Sequence, residues 1–240
     1  METIFKNKVA LVIGGASGIG RATALAFAKK GANMAVVDRK ENIKIVDFIK
    51  KLGSEAIFIN CDVSKSDDVK AMLRQTIGAF GRLDYAFNNT GIESACPLTP
   101  NSSEQNGDKT IAIYLKGVWL CMKYEIPKIL KQGKGAFVNC ASVVGLVRFL
   151  RLMAHVAFKQ GIVGLPKTTD LECATQEIRI NVVCQDVIQT AMVDRLNGKT
   201  KEAMAKFKSF QPIGGFGLAN KIANAVVWMC ADAASLATGM

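Results

Sequence analysis

Short, uniformly apolar runs alternate along this chain with longer stretches in which apolar residues recur every three or four positions. The first kind reads as strands buried on both faces, the second as helices with one covered side. Strands are expected at 8–13, 34–37, 56–60, 84–88, 135–140 and 178–183. Helices are expected at 18–30, 41–51, 66–80, 104–131, 154–174 and 219–231. Helix 18–30 runs into Lys29-Lys30-Gly31, basic residues followed by a glycine stop,. Helix 66–80 starts after Ser64 and stops at Gly81. Alternation of this kind predicts a doubly wound parallel sheet with helices on both faces, a three-layer α/β/α arrangement of six strands. The whole chain, 1–240, reads as one domain.

In such sheets ligands bind where the strands end. The first strand ends in Gly14-Gly15-Ala16-Ser17-Gly18-Ile19-Gly20 and passes directly into an alanine-rich helix. Glycines allow a tight turn and a close backbone approach, and the free N–H groups of a helix start favour an anion. Eighteen residues after Gly20, the second strand ends in Asp38, whose carboxylate can accept hydrogen bonds from ribose hydroxyls. The pattern points to an adenine dinucleotide rather than to a purely structural turn. Other strand exits are polar as well: Cys61-Asp62-Val63, Asn88-Asn89-Thr90-Gly91, Cys140-Ala141-Ser142, and Cys184-Gln185-Asp186 leading to Val187, Ile188 and Thr190. Asp62 suits either an adenine amino group or the start of the next helix.

Composition narrows the partners. Half of the 240 residues are hydrophobic, enough for one sizeable core,. No run approaches the ~20 apolar residues of a membrane span, and Met1 to Lys6 lack a signal-peptide core. A cytoplasmic protein without membrane attachment is expected. The formal charge of +11 comes from lysines scattered along the chain without interleaved aromatics. They read as solvated helix faces, and nucleic acid is not expected as a partner. Seven cysteines without CxxC pairs, and a single histidine, make a metal site unexpected,.

Gly14-x-x-x-Gly18-x-Gly20, Asp62-Val63, Asn88-Asn89-Thr90-Gly91, Ser142 and Lys159 are spaced as in the short-chain dehydrogenase/reductase family, which the chain resembles from about residue 5 to its end. The resemblance implies a single Rossmann-like dinucleotide-binding domain over 1–240 and an oxidoreductase moving hydride between nicotinamide and a small carbonyl or alcohol substrate. It implies cofactor contacts at Gly14, Ser17, Gly18, Ile19, Gly20, Asp38, Arg39, Asp62, Val63, Asn89, Thr90, Gly91, Lys159, Val187, Ile188 and Thr190. Asp38 matches a position that favours NAD(H) over NADP(H), with Arg39 beside it. A homodimer or homotetramer would form through 104–131 and 154–174.

Family members pair a tyrosine with a lysine four residues later, and a serine thirteen residues before that tyrosine. Here Ser142 and Lys159 are in register, and His155 holds the tyrosine position. The family's asparagine on the preceding long helix is matched by Tyr114, its Pro-Gly beside the nicotinamide by Gln185-Asp186, and its opening threonine by Ile13. The candidate catalytic set is therefore Ser142, His155, Lys159 and Tyr114. Imidazole exchanges protons near neutral pH, yet Lys159 one turn away disfavours imidazolium, and the ring is shorter than a phenol. The alternative is a nucleotide-binding protein without turnover, with His155 on a packed helix face. Segments 93–99, 146–153 and 188–208 are expected on the substrate side. Leu146 to Met153, apolar with Arg148 and Arg151, suits an apolar substrate with an anionic substituent, or reads as a plain surface loop. The family continues past Thr238-Gly239 into a seventh strand. Stopping at Met240 predicts a sheet that ends on an unpaired sixth strand.

Overall fold

The computed structural model describes residues 3–92, 97–196, 200, 205, 208, 209, 211 and 213–240. Its centre is a parallel sheet of six strands: β1 (Val9–Ile13), β2 (Asn33–Asp38), β3 (Ala56–Asn60), β4 (Tyr85–Asn88), β5 (Gly135–Cys140) and β6 (Ile178–Val183). The spatial order is β3-β2-β1-β4-β5-β6. The reversal of order between β1 and β4 makes their carboxyl ends the switch point, where a ligand crevice opens.

All five residues of β1 are at most 2% exposed, because helices cover both faces. Leu11 and Ile13 face a core built with α3 (Ser66–Phe80), α5 (Gly117–Leu130) and α6 (Met153–Cys173). Ala10 and Val12 face the other core, with α1 (Gly18–Lys29), α2 (Lys44–Lys51) and α8 (Ala219–Cys230). Each fully buried branched side chain contributes about 1.5–3 kcal/mol. The uniform apolar runs of the sequence are thus strands without a solvent face. Phe5 closes the second core at its edge, its ring 5.3 Å from Phe27 and 4.9 Å from Tyr85.

Three features depart from the sequence expectations. Helix 104–131 is not continuous: α4 (Glu104–Ile111) is joined to α5 by a π-helical turn, Ala112–Lys116. Within that turn Tyr114 is buried and bonded to the loop after β4, a tertiary demand that local periodicity does not carry. Second, Ile188–Gln189 (β7) pairs with Gly217–Leu218 (β8) in a small separate parallel ladder, with α7 (Ala191–Leu196) following β7. Third, the sixth strand's edge is not bare. Val182 N–H donates to the Met240 carbonyl at 2.7 Å and Gly239 N–H to the Ile180 carbonyl at 2.9 Å. Asn181 Nδ2 donates to the Ala237 carbonyl and the Thr238 hydroxyl donates to Asp170. The tail is zipped along β6 in the place a further strand would take.

Candidate active site

The glycine turn leaves β1 and enters α1 with no slack. An added Cβ at Gly14, where φ is +68°, would sit 2.2 Å from the Asn89 carbonyl oxygen. At Gly20 it would meet the Gly14 carbonyl oxygen at 2.1 Å and Asn89 Nδ2 at 2.9 Å. These two positions bring the turn and the loop after β4 into backbone contact, which only glycine permits. Gly18, at φ +52°, faces the Thr190 methyl across the crevice, with 3.4 Å from a built Cβ. The start of α1 has no side-chain cap and no acidic residue in its first turn. Uncapped N–H groups beside backbone-only surface are what a pyrophosphate needs, so the residues present fit an adenine dinucleotide.

Asp38 stands at the end of β2 and ties that turn down. Its carboxylate accepts from Ala16 N–H at 3.2 Å and from Lys40 N–H at 3.1 Å. Asn42 donates to the Ala16 carbonyl at 2.9 Å from the other side. Arg39 is exposed, and its carbonyl accepts from Asn60. Asp62 accepts from both the N–H and the hydroxyl of Ser64, at 3.1 and 2.7 Å. Burial alone would raise its pKa, but these Ser64 bonds, with Arg39 and Lys65, lower it. It forms a turn ahead of α3 rather than that helix's cap, which is Lys65 without a side-chain bond. Val63 is buried against Gly117. Ile19 packs on the α1 side of the core, and Thr90, Gly91, Val187 and Ile188 line up on the exits of β4 and β6.

At the other end of the crevice, Ser142 caps a 3-10 turn, Val143–Gly145, through a 3.4 Å bond from Val144 N–H. The start of α6 carries His155 and, one turn on, Lys159. The Lys159 ammonium is buried and donates to the Cys140 carbonyl at 2.8 Å, and burial lowers its pKa. The ammonium lies 5.2 Å from the Tyr114 ring centroid and 5.8 Å from that of Phe158. Phe158 stacks on Tyr114 at 4.1 Å and its ring is 4.8 Å from His155. His155 is half-buried; desolvation first, and then the Lys159 charge, lower its pKa. The ring is therefore neutral at pH 7. It lines a small pocket with Pro97, Thr99, Ser102 and Asn106 on one side and Arg151 to Ala154 on the other.

Tyr114 lies beside His155, at 5.7 Å between rings, but its hydroxyl is engaged elsewhere. It donates to the Ile92 carbonyl and accepts from Ile92 N–H at 2.9 Å. Of the two arginines in segment 146–153, Arg151 reaches the pocket and Arg148 is not among its lining residues. Residues 93–96, 197–199, 201–204, 206, 207, 210 and 212 lie outside the described residues, so only parts of 93–99 and 188–208 are placed. Gln185 has a structural task that its place in the sequence does not disclose. It accepts from Val143 N–H at 2.8 Å through its carbonyl and donates from Nε2 to the Ala141 carbonyl at 3.2 Å. That locks the loop bearing Ser142 to the exit of β6. Asp186, its neighbour, is exposed and bonds Val187 N–H.

A family model described as enoyl-(acyl carrier protein) reductase matches residues 14–240. A cyclohexanol dehydrogenase of an Acinetobacter strain is 36% identical over 241 residues, covering 100% of this chain and 94% of that protein. A 3-oxoacyl-(acyl-carrier-protein) reductase FabG of Staphylococcus aureus is 37% identical over 236 residues, covering 97% of this chain and 94% of that one. Among solved structures, a levodione reductase has a TM-score of 0.92 at 32% identity, covering 98% of this chain and 95% of that chain.

Proposed function

From the premise that this chain belongs to the short-chain dehydrogenase/reductase family, whose members use nicotinamide cofactors, we propose that it oxidises a small alcohol with NAD⁺ and that His155 takes the hydroxyl proton. The observation that carries this reading is the state of His155, a half-buried neutral imidazole lining a pocket one turn from the buried Lys159 ammonium. A neutral ring nitrogen accepts a proton from an alcohol readily and donates one to a carbonyl poorly. The substitution at the tyrosine position thus favours oxidation over reduction. The bound nicotinamide supplies the hydride acceptor.

The chain's own residues do the rest. The Ser142 hydroxyl, on a loop held by Gln185, orients the substrate oxygen. Lys159, anchored on the Cys140 carbonyl, supplies a fixed positive field that stabilises the developing alkoxide. Asp38 receives the adenosine ribose and repels a 2′-phosphate, so NAD(H) is preferred over NADP(H). The similarity to a cyclohexanol dehydrogenase makes cyclic secondary alcohols the first class to assay. Exposed Ile111, Trp119 and Leu171 on α4, α5 and α6 support pairing of two copies through those helices.

A second reading, nucleotide binding without turnover, is favoured by Tyr114, whose hydroxyl is spent on Ile92 and offers no replacement phenol. One set of experiments separates the two. NAD⁺-dependent oxidation of cyclic alcohols is expected in the wild type, lost in His155→Ala and falling only at pH below the lowered imidazole pKa. Turnover that appears solely in His155→Tyr establishes the second reading. Absence of saturable NADH binding at millimolar concentration would sink both.

A further inference from the structure

Beneath the crevice, three polar side chains meet between the sheet and α5. Asn88 and Asn139 are opposite each other at the end of the β4–β5 ladder, and both are 0% exposed, as is Glu125. Asn88 Nδ2 donates to Glu125 Oε2 at 3.1 Å and to Asn139 Oδ1 at 2.9 Å. Asn139 Nδ2 donates to the Met122 sulfur at 3.3 Å. Two buried oxygens of the cluster have no donor among the described residues: Glu125 Oε1 and Asn88 Oδ1. They are the second atoms of the same carboxyl and the same amide that the 3.1 Å bond already joins.

Apart from the Asn88 N–H on Oε2, the surroundings offer an anion nothing. None of the ion pairs among the described residues includes Glu125. The titratable groups coupled to it are Cys121, on its own helix, and Cys61, at the exit of β3, whose thiol also feels Asp62 and Asp68 from the α3 side. Burial keeps both thiols protonated, Cys121 well above its ordinary range and Cys61 at about 12. The strand partners are neutral amides. A carboxylate with a bare oxygen in such a place is costly. A carboxylic acid instead brings one O–H donor. An acid and a primary amide then satisfy each other in a ring, the amide N–H on one carboxyl oxygen and the acid O–H on the amide oxygen.

We propose that Glu125 is a positioning residue held as the neutral acid, its Oε1–H donating to Asn88 Oδ1 and closing a two-bond pair that clamps the exits of β4 and β5. One proton satisfies both orphaned oxygens. The clamp has a direct line to the crevice. Asn88 continues into Asn89, whose backbone and amide abut Gly14 and Gly20. Asn139 continues into Cys140, whose carbonyl holds Lys159. Loss of the proton sets acceptor against acceptor, forces Asn88 and Glu125 apart, and loosens Asn89 against the glycine turn. Burial pushes the Glu125 carboxyl up to about 7, so this occurs near neutral pH.

Infrared spectroscopy of the protein without ligand tests the protonation. A difference spectrum of wild type between about pH 5.5 and about pH 8.5 should show a buried acid carbonyl band that titrates near 7 and is missing from Glu125→Gln. No such band in wild type overturns the proposal, whether or not the variant folds. NADH affinity, read by fluorescence over the same pH range, tests the positioning role. Glutamine keeps both bonds of the pair, so Glu125→Gln should match wild type at low pH. Across the range wild type should weaken relative to the variant by at least about fivefold, the low end of ordinary coupling between sites. A constant ratio overturns positioning. The NADH arm rests on the nicotinamide reading; if neither protein binds NADH, that reading fails. The acid–amide pair itself is then tested by whether the wild-type unfolding midpoint drops against that of Glu125→Gln as pH rises, parallel midpoints overturning it.

Discussion

The same substitution, glycine to alanine, should have opposite effects at two helical positions of this protein. Gly20 lies in the first turn of α1 and Gly78 near the end of α3. By propensity alone each replacement favours the helix by about 1 kcal/mol. At Gly78 nothing lies within 4 Å of the added Cβ, and the full gain is realised. At Gly20 the methyl would be 2.1 Å from the Gly14 carbonyl oxygen and 2.7 Å from its carbon. A tolerable contact requires the turn to retreat by about 1 Å, and the obstacle is backbone held by Asp38 and Asn42 through Ala16. Overpacking of that kind costs about 1–3 kcal/mol, so the net effect at Gly20 is a loss of up to about 2 kcal/mol. For a chain of this size the melting temperature should rise by about 2–4 °C in Gly78→Ala and fall by up to about 8 °C in Gly20→Ala. A retreat of about 1 Å at the phosphate site, enough to lose one hydrogen bond to a charged phosphate, should weaken NADH by at least about tenfold, while Gly78→Ala binds as wild type. Calorimetry and a fluorescence titration read both quantities. Wild-type affinity in a folded Gly20→Ala would refute the claim that this turn is the cofactor's phosphate cradle.

Three further outcomes follow from the site. His155 is the only histidine of the chain, so a single imidazole resonance reports it in solution. Its titration midpoint should move up in Lys159→Met, because the neighbouring charge is one of its two depressing causes; an unmoved midpoint would show that burial alone sets it. Tyr114→Phe removes both bonds to Ile92 and should lower stability by about 1–3 kcal/mol while leaving the His155 midpoint in place, as denaturant unfolding and the same resonance would show. For Glu125 the folded value of about 7 lies above the ordinary 4.5, so the native state holds its proton more tightly. The stabilisation is complete below about pH 4.5 and lost as pH rises to about 7, a change of about 3 kcal/mol relative to Glu125→Gln; parallel stability curves from urea unfolding would contradict it.

The strands were legible because burial on both faces leaves few polar positions inside them. Val9–Ile13 and Ala136 to Val138 are apolar without interruption, and their limits fall within a residue or two of expectation. The glycine turn was legible because its residues do chemistry with the backbone. What escaped depends on partners distant in sequence. Ile188 and Gly217 form a ladder whose two-residue strands carry no period of their own. Glu125 reads as one acid in the apolar window Val118 to Leu130, and only the fold sets it against Asn88 and Asn139. Tyr114 stood in an asparagine's place, and its actual bond partner, Ile92, is 22 residues away.

The π-helical turn between α4 and α5 has a consequence for phase. An ordinary helix advances each residue by 100°, whereas the wide turn at Ala112–Lys116 spends one extra residue without advancing the axis by a full step. A helical wheel drawn continuously from Glu104 to Leu130 therefore misassigns every face on one side of the turn by about a residue's rotation. Ser103, Asn106 and Thr110 keep one clock, and Val118, Cys121, Met122 and Glu125 keep another. Deleting a single residue there would restore a regular helix and rotate the substrate-side wall against the core, so the gain or loss of that one residue is a route by which this fold can reshape its pocket without altering a side chain in it.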